Sequence, residues 1–494
     1  MNEKEENVKK LWDSSSQAYS GSIKAQLEND SRRVWLDLIL ENAPAGDRLD
    51  VLDLGTGPGF FSIILSLAGH RAVGVDASPM MLEQARANAR AAGADCEFRQ
   101  MNIQKLEYGD NSFDLVVCRN VTWTLYEPEE AYREWKRVLR PGGRLLIFDA
   151  EWYMNMFDEG VSADLGRRIR AYREKYRELP ARFAVNQPTN YMRQLSLLGV
   201  RRPVWDRATL WRLRFEDVVC RTDLNSLVDM TDVDSMLYAA TPMFLVRGTK
   251  VSPDDELRMD LRDFWNGRSA AEGVLSVMET DGRSDYYSGC LKPLLPARCT
   301  VLDAGCGGGG IAACLARDGY DVTALDDSAA MLEEAGYTAA DAGVSVKTVQ
   351  ADLCGAIPLP DGSFDCVILN DVLWALLDPE RALAEASRVL RAGGTMLIGD
   401  GLRYQHLTGP DGGEAYVEKW KDVSEASLRP IYGVTCSRAT MIDDAWEKLP
   451  LSFRDRPGWD KAELERLGFS LCCQVSVQES DRAPEAFILK FRKN

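Results

Sequence analysis

The chain has 494 residues, which is too long for one ordinary domain and predicts two or three. Hydrophobic residues make up 45% and charged residues 27%, as in globular proteins, and the net charge of −17 argues against a nucleic-acid or anionic-lipid partner. Twelve cysteines without CxxC or zinc-ligand spacing, a charged N-terminus and no long apolar run predict a cytoplasmic protein without a metal centre or membrane span.

The first part of the chain alternates between short apolar runs and helical stretches. Strands are predicted at 51–54, 72–76, 115–118 and 145–149, and helices at 59–68, 79–92 and 128–139. Gly142-Gly143 is predicted to stop the third helix. Alternation at this spacing predicts an α/β fold with a mostly parallel sheet and helices on both faces.

An internal repeat then accounts for the second part of the chain. VLDLGTGPG at 51–59 returns as VLDAGCGGG at 301–309, and RVLRPGG at 137–143 returns as RVLRAGG at 388–394. The constant register of these and other strings predicts two copies of one domain, 1–250 and 251–494. The polar, turn-rich stretch at 248–255 is the predicted boundary.

The glycine-rich turn after the first strand of each half predicts a ligand that approaches the backbone closely. Asp76 follows Gly55 by 21 residues, and Asp326 follows Gly305 by the same number. A carboxylate at this spacing stands at the end of the second strand. It therefore suits the two hydroxyls of a ribose.

The charge beside the turn decides between a dinucleotide and S-adenosylmethionine (SAM). Asp53 and Asp303 stand two residues before the first glycine. A carboxylate there would repel a pyrophosphate and attract the sulfonium and ammonium groups of SAM. Phe60 breaks the G-x-G-x-x-G spacing in the first half, although Gly310 completes it in the second. No GKS or GKT string indicates a nucleoside triphosphate.

Four strings recur in both halves: D-x-G-x-G-x-G, a strand-end Asp with S-x-x-M-L, S-F-D-x-V, and R-V-L-R followed by a glycine pair. Together they resemble the class I SAM-dependent methyltransferases, and most closely the type 11 group of ubiquinone/menaquinone-biosynthesis-like small-molecule enzymes. The resemblance covers 51–150 and 301–400 strongly. It implies two tandem Rossmann-like domains with helical lids, two SAM molecules per chain, and S-adenosylhomocysteine as product.

The resemblance also implies the residues that bind SAM. In the first half they are Trp12, Tyr19, Asp53, Gly55, Thr56, Gly57, Gly59, Asp76, Ala77, Met81, Asn102, Ile103 and Arg119. In the second they are Asp303, Gly305, Cys306, Gly307, Gly309, Asp326, Asp327, Met331, Asp352, Leu353 and Asn370. Asn102 departs from the family aspartate, which is present at 352, and its carbonyl oxygen can still accept the adenine amino proton.

Trp12 and Tyr19 are expected on a lid helix over SAM, with ordinary core packing as the alternative. Trp265-Asn266 takes a similar place in the second half, where Tyr286 and Tyr287 are candidate counterparts of Tyr19. The expected lid elements are 1–45 and 151–206 in the first half and 255–297 and 401–458 in the second. The aromatic and Met-rich run at 151–157 suits either an apolar acceptor or packing between the halves.

The strings after the fourth strands, Arg119-Asn120 and Asn370-Asp371, are expected to face the methyl group and the acceptor. No catalytic dyad is recognisable, and the candidates are Tyr19, Arg119, Asn120, Asn370 and His406. We expect methyl transfer to a small-molecule acceptor, with unequal roles for the halves because their lid segments diverge. Two alternatives stay open: SAM-dependent transfer of another group such as aminocarboxypropyl, and a protein or RNA methyltransferase in which one half is a binding scaffold.

Overall fold

The computed structural model describes residues 3–179, 195–222, 224–228, 237, 239–263, 265–266, 287–401, 449–452, 454, 456–477 and 486–494. They divide into two compact units, Met1–Pro253 and Asp254–Asn494. A seven-stranded, mostly parallel sheet forms the centre of each unit, which confirms the predicted fold class. In the ranges described, no helix has the length and hydropathy to cross a lipid bilayer.

The first unit alternates strands and helices from β1 onward. Its strands are β1 (Asp50–Leu54), β2 (Arg71–Asp76), β3 (Glu97–Gln100), β4 (Phe113–Arg119), β5 (Leu139–Ala150), β6 (Phe215–Arg221) and β7 (Met243–Lys250). Its helices are α1 (Glu3–Glu28), α2 (Ser31–Asn42), α3 (Phe60–Leu67), α4 (Pro79–Ala92), α5 (Pro128–Val138), α6 (Glu159–Tyr176) and α7 (Val204–Arg212). The strand order is β3-β2-β1-β4-β5-β7-β6, with only β7 antiparallel to its neighbours. The order reverses between β1 and β4, where open α/β sheets bind ligands.

The second unit repeats this arrangement. Its strands are β8 (Thr300–Ala304), β9 (Asp321–Asp326), β10 (Lys347–Gln350), β11 (Phe364–Asn370), β12 (Leu390–Gly401), β13 (Phe469–Val477) and β14 (Ala486–Lys493). Its helices are α8 (Gly310–Arg317), α9 (Ala329–Asp341), α10 (Pro379–Val389) and α11 (Gly458–Arg466), and residues 253–263 and 265–266 are also helical. The order β10-β9-β8-β11-β12-β14-β13 matches that of the first sheet. The sequence repeat is therefore a structural repeat.

The glycine pair at 142–143 does not stop a helix, so that prediction is wrong. Helix α5 ends at Val138, and both glycines lie inside β5, which begins at Leu139. Leu139 is fully buried and pairs with Phe113, so burial favours extended backbone before the glycines are reached. The register with β4 shifts between Phe113 and Leu115, and the glycines accommodate this irregularity of the sheet.

Candidate active site

A cavity of about 400 Å³ lies at the carboxyl ends of β1, β2 and β4 in the first unit. Most of the residues predicted for the first half contribute to its wall: Trp12, Tyr19, Asp53, Gly55, Thr56, Gly57, Asp76, Ala77, Met81, Asn102, Ile103, Arg119 and Asn120. Gly59 does not line the cavity. It lies behind the turn, where an added Cβ would come within 3.1 Å of Ala85 and Phe98.

The acid at the end of β2 is held by backbone amides in both units. Asp76 accepts hydrogen bonds from the amides of Gly57 at 2.9 Å and Ser78 at 2.8 Å. Asp326 accepts the corresponding pair of amides, each at 3.0 Å. Burial raises the pKa of Asp76 to about 6, so the carboxyl is ionised at neutral pH. Each oxygen retains a lone pair for a further donor, such as a hydroxyl of a ligand.

Asp53 is buried beneath the glycine turn, where its carboxylate accepts hydrogen bonds from hydroxyl groups. Its Oδ2 accepts from Thr56 Oγ1 at 2.6 Å and from the Ser62 hydroxyl and amide at 2.8 and 3.0 Å. Burial still raises its pKa. Three donors on one oxygen stabilise the carboxylate in place and fix the turn to the first helical turn of α3.

Asp303 occupies the same place in the second unit without those hydroxyls. Cys306 and Ala312 replace the threonine and serine, and among the described residues Asp303 Oδ2 has no hydrogen-bond partner. The carboxyl is only 2% exposed. Burial, with a smaller contribution from Asp326, raises its pKa to about 7. The two units therefore share the acid but differ in how it is stabilised.

Aromatic side chains from α1 cover the cavity of the first unit. The ring of Trp12 lies 6.0 Å from that of Tyr19 and 6.1 Å from that of Trp123, centroid to centroid. Trp265 and Trp374 form the corresponding pair in the second unit at 6.3 Å. The motifs did not indicate Trp123 or Trp374 as site residues, although the repeat places a tryptophan at the same point of both halves.

The lid helix is tied to the acid-bearing turn by one side-chain contact in each unit. The hydroxyl of Ser78 donates to Asp13 at 2.5 Å, and that of Ser328 lies 2.7 Å from Oδ1 of Asn266. Each serine also caps the following helix, since Ser78 accepts from the amide of Met81 at 3.0 Å. The serine therefore joins three elements: the lid, the β2 turn and α4.

Of three residues proposed for the second half, one is placed differently from the expectation and two lie outside the described residues. Tyr287 is 1% exposed and its hydroxyl donates to Asp318, which follows the far end of α8 from the glycine turn. Its core packing overturns its suggested role as counterpart of Tyr19. Tyr286 and His406 lie outside the described residues.

The run at 151–157 packs within the first unit. Tyr153 lies 5.7 Å from Trp123, centroid to centroid, and Met154 is 3% exposed. Trp152 and Tyr153 thus pack in one cluster with Trp123 and Trp12. Phe157, at the end of the run, is 50% exposed, so the acceptor contact and the packing between the halves both stay predictions.

The residues after β3 form the same turn in both units. Asn102 Oδ1 accepts from the amide of Gln104 at 2.9 Å, and Asp352 Oδ1 accepts from the amide of Cys354 at 2.7 Å. Asparagine thus replaces aspartate without loss of the turn.

Asn120 follows β4 and lines the cavity in a left-handed conformation, with φ of 58°. Its Oδ1 is buried and has no partner among the described residues. An unpaired buried acceptor in a cavity wall is expected to bind a ligand donor. Asparagine tolerates this backbone conformation better than most residues, and Asp371 has the same φ in the second unit.

Gly55→Ala is expected to weaken ligand binding in the first unit and to lower its stability by about 1–3 kcal/mol. The φ of Gly55 is +61°, and an added Cβ would lie 2.5 Å from Cγ2 of Val121. Gly93→Ala is the matched control, since Gly93 has φ of +68° with open space around its Cβ position. Calorimetric titration and thermal unfolding of both variants measure the difference. Equal losses would show that backbone strain, and not the clash beside the cavity, is responsible.

Both halves of the chain are similar to known methyltransferases. Residues 52–147 and 302–398 both match the family described as "Methyltransferase domain". Demethylmenaquinone methyltransferase of Thermus thermophilus is 37% identical over 120 residues, which cover 24% of this chain and 53% of the relative. Ubiquinone/menaquinone biosynthesis C-methyltransferase UbiE of Hahella chejuensis is 33% identical over 159 residues, which cover 30% and 61%.

Each half contains a class I SAM-dependent methyltransferase domain.

The family resemblance drawn from the motifs is thereby confirmed. The chain spans about half the length of the curated relatives it matches, at 53%, 46% and 61% for three of them. Among solved structures, magnesium protoporphyrin IX methyltransferase of Synechocystis with bound S-adenosylhomocysteine is 18% identical, with a TM-score of 0.31 over 44% of this chain and 84% of that one.

The side chains of the first methyltransferase domain fit SAM. Asp76 offers two acceptor oxygens, and Gly55 and Asn120 line the same cavity. Met81 adds an apolar wall. In the described part of the chain, no group of three or more His, Cys, Asp or Glu side chains is arranged to hold a metal ion.

Proposed function

We propose that this chain binds SAM in both domains and transfers its methyl group to a small-molecule acceptor, with the first domain as the catalytic one. The observation that carries the proposal is the cavity of about 400 Å³ beneath Trp12 and Tyr19. This volume is typical of small-molecule sites. The matched carboxylate–amide geometry of Asp76 and Asp326 supports SAM binding in both domains.

When bound, SAM supplies a methyl group on an activated sulfonium, so the protein has mainly to orient the reactants and exclude water. Asp76 would orient the ribose, and Asn120 would accept a hydrogen bond near the end of β4. The rings of Trp12 and Tyr19 would shield the cavity from solvent. These roles require no residue to change its protonation state.

A general base is needed only for an acceptor that arrives protonated. His70 is the one histidine among the described residues, and its Nδ1 accepts from the amide of Leu49 at 3.2 Å. Burial lowers its pKa. His70 therefore has a structural role and is not a candidate for that base.

The two domains differ at polar positions beside the glycine turn and at the end of the fourth strand, which supports unequal roles. Asp53 has hydroxyl partners whereas Asp303 Oδ2 has none in the described part of the chain. Position 119 is arginine in the first domain, and the corresponding residue of the second is Asn370. The first domain therefore retains the more complete site.

Calorimetric titration with SAM and S-adenosylhomocysteine tests the cofactor proposal, and we expect two sites per chain. Incubation with methyl-labelled SAM and a panel of hydroquinones and phenols tests the acceptor class, which the quinone-related relatives suggest. Mass spectrometry should show addition of one methyl group. Absence of SAM binding, or transfer of the aminocarboxypropyl group instead, would contradict the proposal.

A further inference from the structure

Arg119 is an unusual feature of the cavity wall. Among the described residues that line the cavity it is the one lysine or arginine, and three acids accompany it: Asp53, Asp76 and Glu107. It is the last residue of β4, beside the point where the strand order reverses. Its side chain is partly buried.

Aromatic rings surround its guanidinium. Its carbon lies 4.6 Å from the ring centroid of Phe60, 5.0 Å from that of Trp35 and 5.2 Å from that of Phe61. Nη1 donates to Oε1 of Gln26 on α1 at 3.0 Å. Stacking on aromatic rings holds the guanidinium plane in place and leaves its edge available for hydrogen bonds.

No carboxylate neutralises this cation within the described residues. Asp53 is near enough to favour the charged form, but its Oδ2 is taken by Thr56 and Ser62 and it forms no ion pair with Arg119. Burial lowers the pKa of Arg119, although a guanidinium remains charged at neutral pH. A buried cation without an anion is destabilising, so its presence indicates a function.

The second domain differs at three of the corresponding positions. Asn370 replaces the arginine, and Gly310 and Ile311 replace the two phenylalanines of α3. The second domain keeps the glycine turn and the acid at the end of its second strand, so the missing arginine does not reflect loss of the common site. An arginine in place of an asparagine adds a positive charge, which favours a negatively charged group on the ligand.

We propose that Arg119 binds a carboxylate in the cavity of the first domain. The inference rests on the proposed function, because the two sources of a carboxylate in this cavity are the methionine part of SAM and the acceptor. Planar, rigidly held guanidinium groups recognise carboxylates through paired hydrogen bonds. The cage of Trp35, Phe60 and Phe61 holds the group for such a contact.

The test uses the full chain with Asp326→Ala, so that the first domain's site is measured alone. Dissociation constants for SAM and decarboxylated SAM are compared in this parent, in Arg119→Gln and in Arg119→Lys. If Arg119 binds the methionine carboxylate, the parent prefers SAM by about 10- to 100-fold. The glutamine variant then loses this preference, and the lysine variant restores part of it.

The second arm measures benzoate binding to the parent loaded with S-adenosylhomocysteine. If Arg119 binds an acceptor carboxylate, benzoate binds to the parent and not to Arg119→Gln, while the preference for SAM over decarboxylated SAM is the same in both. Unchanged binding of decarboxylated SAM shows that the variant is folded. Equal behaviour of parent and Arg119→Gln in both arms overturns the inference. Failure of the parent to bind either form of SAM contradicts the proposed function instead.

Discussion

Asp76→Ala is expected to abolish SAM binding in the first domain while the second domain's site stays intact. The carboxylate offers charge-assisted hydrogen bonds, each contributing about 1.5–3 kcal/mol, so losing two lowers affinity roughly 100-fold or more. The substitution also removes the acceptor that holds the Gly57 amide at 2.9 Å. Calorimetric titration of the full chain should then give one site in place of two.

Asp326→Ala is the reciprocal variant and the matched control, because its carboxylate has the same pair of amide contacts. It should remove the other site and leave the first. Asp76→Asn separates the two roles of the side chain, since an amide oxygen can still accept from the backbone but carries no charge. Loss of both sites in either alanine variant would show that the domains do not bind independently.

Asp303→Asn is expected to stabilise the second domain by up to about 4 kcal/mol at pH 8. The carboxyl has an ordinary pKa of 3.8 when unfolded and a pKa of about 7 when buried in the fold. Below the lower value both states are protonated and the group has no effect on stability. As pH rises toward 7 the unfolded state is charged first, so the stability of the native domain falls. Above 7 the whole penalty is present, and a neutral amide removes it.

Hydrogen exchange of the β8 amides at pH 6 and pH 8 would measure this stability within the full chain. In the native protein, the free energy of unfolding obtained from exchange should be lower at pH 8 than at pH 6. In the variant, this free energy should change less between the two pH values. Asp53→Asn is the matched control in the first domain, where burial also raises the pKa but three hydrogen bonds to Oδ2 offset part of the cost of the charge, so it should increase stability by less than Asp303→Asn does. An equal or larger gain in stability for Asp53→Asn would refute the role given to the hydroxyl partners.

The sequence placed most of the residues of the cavity wall correctly, because each of them lies in a short motif next to a strand. The glycine turn, the β2 acid and the polar residue after β3 each follow a strand, and parallel strands bring their carboxyl ends to one edge. The resulting cavity contains Asp53, Asp76, Asn102 and Arg119 as expected.

Residues whose role depends on packing were missed or misplaced. The contact of Ser78 with Asp13 joins positions far apart in sequence, and nothing in the local pattern indicates it. Tyr287 resembled a lid aromatic only by its place before the turn, yet burial draws it into the core. The glycine pair at 142–143 was misjudged because the buried Leu139 already commits the chain to the sheet.

If SAM binds as proposed, with its ribose at Asp76, the hydrogen bond between Ser78 and Asp13 links that ribose to α1. The same serine donates its amide to Asp76, so a ligand that repositions this acid also acts on α1. Such coupling is reciprocal, so an acceptor that binds against Trp12 of α1 would raise the affinity for SAM by the same factor by which SAM raises the affinity for that acceptor.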